Sequence, residues 1–263
     1  MGVLRKMLVS FVVVLVLTAA ASAADWSNTI AAVVLDGSLY TIEKSGALYR
    51  TDLSSGKYVQ VGKAEFGRTR MMFAGPQNLF TLETDGSLYR VSPNDGSWKR
   101  VGKAGDWKNT TAASFQGTRL FTTESSGTLY GTNPISGAWT TVGKAEFGKT
   151  AVLFGTDDSL FSIETDGSLY RINPSSGAWS QVGKAGEWAN TIAVATMNGY
   201  IYTIESNGAL YKTDPSSGAW SQIGKAEFAK TRYLFAANNS LYTLENGGIY
   251  RVDPATGAWS AIG

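Results

Sequence analysis

Residues 190–224 read NTIAVATMNGYIYTIESNGALYKTDPSSGAWSQIG. Turn-forming clusters fall at Asn198-Gly199, Ser206-Asn207-Gly208 and Pro215-Ser216-Ser217-Gly218, and the runs between them are short and rich in β-branched and aromatic residues. The stretch therefore spells four strands and offers no helical period. Middle strands of this kind carry apolar residues in both parities, as in Leu39-Tyr40 with Ile42, so both faces must be covered. The Asp-Gly and Asn-Gly steps at Asp36-Gly37, Asp85-Gly86, Asp166-Gly167 and Asn207-Gly208 predict tight hairpins, because both central residues accept positive φ. In the third connection Pro fixes φ, and the side chain before it, as at Asn173, Asp214 and Asp253, can bond the turn backbone.

Working outward, the same unit recurs. A Val-Gly or Ile-Gly pair closes it at Gly62, Gly102, Gly143, Gly183, Gly224 and Gly263, with spacings of 40, 41, 40, 41 and 39. The repeats divide the chain into 24–63, 64–103, 104–144, 145–184, 185–225 and 226–263. They alternate: Trp26, Trp107 and Trp188 are followed by Asn28, Asn109 and Asn190, whereas Phe66, Phe147 and Phe228 are followed by Arg68, Lys149 and Lys230. Repeats of about 40 residues point to propellers or solenoids. A solenoid needs polar caps on its terminal units, and neither terminal unit departs from the pattern. The expectation is an all-β, six-bladed propeller with four antiparallel strands per blade, each blade one contiguous repeat, and a pseudo-three-fold alternation of blade pairs. Closure between first and last blades would rest on side-by-side packing, with no strand crossing, and so form the weakest seam.

Ahead of the repeats, Arg5 and Lys6, the apolar run Met7–Leu17 and Ala21-Ser22-Ala23 follow the order of a cleavable secretion signal spanning 1–23. The apolar run is 11 residues, short of the roughly 20 that span a bilayer. The expected product starts at Ala24 and is secreted or periplasmic, with no stable membrane insertion after cleavage. The 263 residues include no Cys and no His, which removes disulfides, Cys or His metal sites, thiol nucleophiles and His-based acid/base mechanisms. Without the signal's two cations, Lys+Arg and Asp+Glu stand at 21 each, which argues against nucleic-acid binding.

With the first strand of each repeat innermost, the b–c turns and the crossings between blades share one face. That face collects Glu43, Glu83, Glu124, Glu164, Glu205 and Glu245, the crossing lysines Lys63, Lys103, Lys144, Lys184 and Lys225, and the alternating Trp/Phe ring. Equal numbers of opposite charge within a repeat suggest that the Glu and Lys rings pair as fasteners. The Trp/Phe ring reads as packing between blades, the outer-strand Trp98, Trp139, Trp179, Trp220 and Trp259 as edge covers, and steps such as Leu48-Tyr49 and Leu169-Tyr170 as core. The alternation gives three equivalent places where flat rings stand beside amide and charged donors, as a sugar site needs; duplication of a two-blade unit gives the same three-fold pattern. The candidate ligand-binding residues are Trp26, Asn28, Trp107, Asn109, Trp188, Asn190, Arg68, Lys149 and Lys230. No catalytic residue, metal site or cofactor is expected. Asp157-Asp158, in the fourth a–b turn, reads as a solvated turn.

The Trp-initiated units, the Asp-Gly-Ser-Leu-Tyr hairpins and the Ser-Gly-Ala-Trp-Ser-x-Val-Gly closings together resemble the tectonin and tachylectin-like β-propellers, many of which are carbohydrate-binding lectins. The run from Gly248 to Gly257 also resembles quinoprotein-like propeller repeats, but in those a Trp stands several residues beyond the Gly, whereas Trp259 follows Gly257 after only Ala258. The resemblance implies a non-enzymatic, multivalent carbohydrate-binding propeller whose glycans sit on the face bearing the crossings. The alternative partner on that face is a protein, with the chain an extracellular or envelope scaffold.

Overall fold

The computed structural model describes residues 26–156 and 158–262; the expected signal at 1–23, Ala24, Asp157 and Gly263 lie outside them. Blade 1 comprises β1–β4 (Thr29–Leu35, Ser38–Glu43, Leu48–Asp52, Tyr58–Val61), blade 2 β5–β8 (Thr69–Gly75, Asn78–Glu83, Leu88–Val91, Trp98–Val101), and blade 3 β9–β12 (Thr110–Gln116, Arg119–Glu124, Leu129–Thr132, Trp139–Thr141). Blade 4 comprises β13–β16 (Thr150–Gly155, Leu160–Glu164, Leu169–Ile172, Trp179–Val182), blade 5 β17–β20 (Thr191–Met197, Tyr200–Glu205, Leu210–Thr213, Trp220–Ile223), and blade 6 β21–β24 (Tyr233–Ala237, Ser240–Glu245, Gly248–Val252, Trp259–Ile262). Each sheet pairs its strands in chain order and antiparallel. A single 3₁₀ turn, Trp26–Asn28, precedes β1.

Two of the three turn expectations are met. Asp36 and Gly37 both take positive φ, 48° and 74°, the geometry of a tight two-residue hairpin. In the third connection Asn173 Oδ1 accepts the amides of Ser175 and Ser176 at 2.9 and 3.0 Å. Asp52 takes the amides and hydroxyls of Ser54 and Ser55 in the same way, and these donors hold its carboxyl down to about 2. The b–c turns differ from the expectation. At Asp85-Gly86, Asp166-Gly167 and Asn207-Gly208 only the Gly has positive φ, and Glu83 N reaches past the pair to Ser87 O at 2.9 Å. Asp85 instead uses its side chain, accepting Ser87 N at 2.8 Å, which favours a longer loop over the two-residue turn. Gly86 is needed for a second reason: a Cβ there would lie 2.4 Å from Lys108 N, where the next blade's crossing passes.

The five crossings between successive blades follow from this contact. Trp107 N bonds Gly86 O at 3.1 Å, and Phe66, Phe147, Trp188 and Phe228 bond the b–c turn of the preceding blade likewise. Each seam between blades holds its own apolar cluster, and each cluster includes the crossing aromatic. The seam between blades 6 and 1 contains Trp26, Leu39, Leu53, Phe235, Tyr242, Leu244 and Ile249. At roughly 1.5–3 kcal/mol per fully buried large apolar side chain, closure holds as much apolar burial as the seam between blades 4 and 5, which has six such residues. Closure is also stitched: Arg232 in blade 6 donates to Trp26 O at 2.9 Å and to Thr29 O. Arg70 makes the equivalent bonds from blade 2 to Trp107 O and Thr110 O at 2.7 and 2.8 Å. The expected weak seam is therefore reinforced by the same device that joins two covalently linked blades. Between blades 4 and 5 the corresponding residue is Ala151.

The alternation extends to the inner strands, which approach in pairs: β1 with β5, β9 with β13, and β17 with β21. Small residues permit it. A Cβ on Gly155 would lie 2.4 Å from Phe115 O on the neighbouring inner strand.

Candidate functional sites in the blade pockets

Five of the six inner strands open on a Thr, and the second residue is bulged out of register: β1 pairs Thr29 with Glu43 but Ala31 with Ile42, and β5, β9, β13 and β17 repeat the shift, whereas β21 begins at Tyr233 without it. The bulge turns the first Thr toward the Glu that ends the second strand. Thr29, Thr69, Thr110 and Thr191 donate to Glu43, Glu83, Glu124 and Glu205 at 2.8, 2.9, 2.7 and 2.7 Å. Burial pushes the carboxyls of Glu83, Glu124, Glu164, Glu205 and Glu245 above the ordinary value, since desolvation disfavours the charged form.

The expected pairing of Glu with crossing lysines is not what holds this face. Among the described residues, ion pairs within 4 Å join Arg68 to Asp85 and Arg171 to Asp158, and the crossing lysines enter neither. Glu43, Glu83, Glu124 and Glu205 accept from Thr hydroxyls instead, and the crossing lysines are exposed.

The Glu carboxylates face pockets that recur from blade to blade. The blade 3 pocket, about 220 Å³, is walled by Trp107, Tyr130 and Trp139 over Glu124, with Asn109 at its rim. The blade 5 pocket, about 280 Å³, repeats this with Trp188, Tyr211 and Trp220 over Glu205, and Asn190 at the rim. In blades 4 and 2 the same place is walled by Phe147, Tyr170 and Trp179, or by Phe66, Tyr89 and Trp98, with Lys149 or Arg68 at the rim. Six of the nine candidate residues thus line these four pockets. Trp26 and Asn28 occupy the matching positions in blade 1, and Lys230 lies close enough to Glu245 in blade 6 to lower its carboxyl against the rise from burial. Trp107 and Trp188 are 3% and 4% exposed, so they are packing residues that show an edge to the pocket.

The stacking surfaces are instead the outer tryptophans and the strand-three tyrosines. Tyr211 stands edge-on to Trp220 at 5.1 Å and 83°, and Tyr89–Trp98, Tyr130–Trp139, Tyr170–Trp179 and Tyr250–Trp259 repeat it. The Trp indole is fixed by the crossing acid: Trp220 donates to Glu187, Trp179 to Glu146 and Trp98 to Glu65 at 3.3, 2.9 and 3.1 Å. Tyr170 is consequently a pocket wall and Tyr49 stands edge-on to Tyr58, while only Leu169 and Leu48 of those steps are core. Both rings stand at one register of neighbouring strands, Tyr211 opposite Gln222 and Thr213 opposite Trp220, and that diagonal was the signal available in the sequence.

A further alternation lies on the pocket floor. Thr132 and Thr213, on the third strands of blades 3 and 5, are fully buried, line the pockets, and have hydroxyls without a partner. Thr51 of blade 1 is buried and unpartnered in the same way. The Phe blades carry Val91, Ile172 and Val252 at this position. The second strands carry an unpartnered hydroxyl in every blade, at Thr41, Thr81, Thr122, Ser162, Thr203 and Thr243, so the third-strand hydroxyl is what sets the Trp blades apart. Leaving a hydroxyl buried and unsatisfied costs about 1–3 kcal/mol, so the Trp blades retain a polar floor against stability.

The fold and this face define a six-bladed β-propeller with a repeated aromatic, acidic pocket. No family model matches the chain, and no curated protein matches it. Among solved structures it is similar to a Bacteroides thetaiotaomicron protein of unknown function, at 12% identity and TM-score 0.64, over 85% of this chain and 68% of that one. It is also similar to the computationally designed protein Ika8, at 14% identity and TM-score 0.55, over 88% of this chain and 72% of that one. A third neighbour is PorZ, a bacterial surface component of the type-IX secretion system of Porphyromonas gingivalis, at 14% identity and TM-score 0.58. The chain covers 38% of PorZ, with 89% of its own length matched. These likenesses establish the propeller fold. No helix among the described residues is long and apolar enough to cross a membrane.

Proposed function

We propose that the chain is an exported, non-enzymatic binding protein whose Trp-blade pockets take carbohydrate, as the tectonin-like repeats imply. The observation that carries this reading is the polar floor. Buried hydroxyls at Thr51, Thr132 and Thr213 stand only in the blades that also present Asn28, Asn109 and Asn190, whereas the Phe blades fill both positions with apolar and cationic residues. Such pockets offer hydroxyl, amide and carboxylate groups for sugar hydroxyls, and the Tyr–Trp walls cover sugar C–H surface. Three weak sites on one rigid ring gain avidity of about 10²-fold or more on a surface displaying repeated sugars.

Repetition also argues against catalysis, since reactive groups copied around a ring lack the asymmetric acid and base roles that chemistry demands. A protein-docking role is the second reading, favoured by the half-exposed outer tryptophans, such as Trp220 at 51% and Trp259 at 50%. A glycan array probed with the full chain, and with an Asn28→Ala, Asn109→Ala, Asn190→Ala variant, tests the choice. The carbohydrate reading expects glycan signal that falls in the variant at unchanged melting temperature. Glycan signal that is absent, or unaffected by the variant, overturns it.

A further inference from the structure

The six blades share an acid at the end of the second strand but not its counter-charge. In blades 2, 4 and 6 the chain supplies a cation at the rim: Arg68, Lys149 and Lys230 each stabilise the carboxylate of Glu83, Glu164 or Glu245 through space. In blade 3 the rim residue is Asn109, and Arg70, reaching over from blade 2, acts on Glu124 from behind. Arg232 makes the same reach into blade 1. Blade 5 has neither device. Its rim residue is Asn190, the residue in the stitching position of blade 4 is Ala151, and among the described residues no ion pair within 4 Å reaches Glu205.

The blade 5 pocket is otherwise complete. Three aromatic side chains, Trp188, Tyr211 and Trp220, line the pocket with Glu205, and its floor includes Thr203 and Thr213, whose hydroxyls are buried and unpartnered. Glu187 also lines it, but its two oxygens are taken by Lys184 N and the Trp220 indole. An aromatic enclosure over a carboxylate is the arrangement that holds an organic cation. An ammonium is all donor, with three N–H groups, and Glu205, one of whose oxygens accepts from Thr191 at 2.7 Å, has its other oxygen to accept from it.

We propose that the blade 5 pocket binds a protonated amine carried by its ligand, which takes the place that Lys149 fills in blade 4. This deepens the carbohydrate reading and rests on it in one respect: the expected ligand is an amino sugar with a free amine.

The test is isothermal titration of the full chain at about pH 6 with glucosamine, N-acetylglucosamine and n-butylammonium chloride. The inference expects one site for which glucosamine binds about tenfold more tightly than its acetylated form, and which n-butylammonium also enters. Glu205→Gln keeps an acceptor for Thr191 and should remove the preference. Asn190→Lys, at an exposed position, should block the site by supplying the cation in cis. If N-acetylglucosamine binds as tightly as glucosamine and both variants are neutral, the amine inference fails while the carbohydrate reading stands. If n-butylammonium binds in a Glu205-dependent way and no sugar does, the amine site stands and the carbohydrate reading fails. Absence of binding by every probe overturns both.

Discussion

Replacing the floor hydroxyls of the Trp blades by methyl groups, as Thr51→Val, Thr132→Val and Thr213→Val, should make the protein more stable and a poorer binder. The third-strand position is buried equally in both blade types: Thr51, Thr132 and Thr213 are 0% exposed, as are Val91 and Ile172. Valine is isosteric with threonine, so the change leaves no cavity and forces no rotamer. What it removes is a desolvated hydroxyl without a partner, worth about 1 kcal/mol at the low end of its cost. The three sites lie in separate blades with no shared partner, so their effects should add to about 3 kcal/mol. For a chain of this size each kcal/mol moves Tm by about 2–4 °C, giving a rise of about 6–12 °C for the triple variant. Scanning calorimetry on the full chain measures it, beside a glycan array on the same preparation. A triple variant less stable than the parent, or one that gains stability while binding unchanged, would refute the assignment of these hydroxyls to ligand.

Arg232→Leu should cost about 2 kcal/mol in chemical denaturation by removing charge-assisted bonds across the closing seam, with Arg70→Leu costing a similar amount at a covalently linked seam; a neutral Arg232→Leu would show that the stitch is idle. Stability should peak between about pH 4 and 5. Glu83, Glu124, Glu164, Glu205 and Glu245 have carboxyls raised by burial above 4.5, so the folded state holds protons the unfolded chain has released, and stability falls as pH climbs through the raised values. The turn aspartates Asp52, Asp85, Asp166, Asp214 and Asp253 are lowered from 3.8 by hydrogen bonds, so their contribution is present above that value and is lost as pH falls below it. A melting temperature that rises steadily from pH 4 to 7 would contradict this balance. Amino-terminal sequencing of exported protein should begin at or within a residue or two of Ala24, and an intact Met1 in a membrane fraction would contradict the signal.

The blade count, the strand order and the sharing of one face by crossings and b–c turns were legible because the period, the turn residues and the parity of apolar positions all agree on them. The candidate pocket was legible only at its rim. Asn28, Asn109 and Asn190 stand out beside Arg68, Lys149 and Lys230 because the contrast is chemical and falls at a fixed offset from an aromatic. Thr51, Thr132 and Thr213 did not stand out, since a Thr among Val and Ile in a strand looks like ordinary β-propensity. Their burial without partners, which Thr41, Thr81 and Thr122 share on the second strands, shows only in the structure. Tyr211 and Trp220 were hidden for another reason: a diagonal pair across two strands depends on register, and the same residues cover an edge or wall a pocket according to where the next crossing runs. The b–c Asp-Gly steps failed because the side chain of Asp85 competes with the two-residue turn for the backbone.

Native mass spectrometry of the full chain with N-acetylglucosamine, galactose and mannose, each raised in steps, addresses the alternation directly. The account predicts that binding of a recognised sugar stops at three copies and that the Asn28→Ala, Asn109→Ala, Asn190→Ala variant binds fewer. Six copies, or three that persist in the variant, would contradict the assignment of ligand sites to the Trp blades.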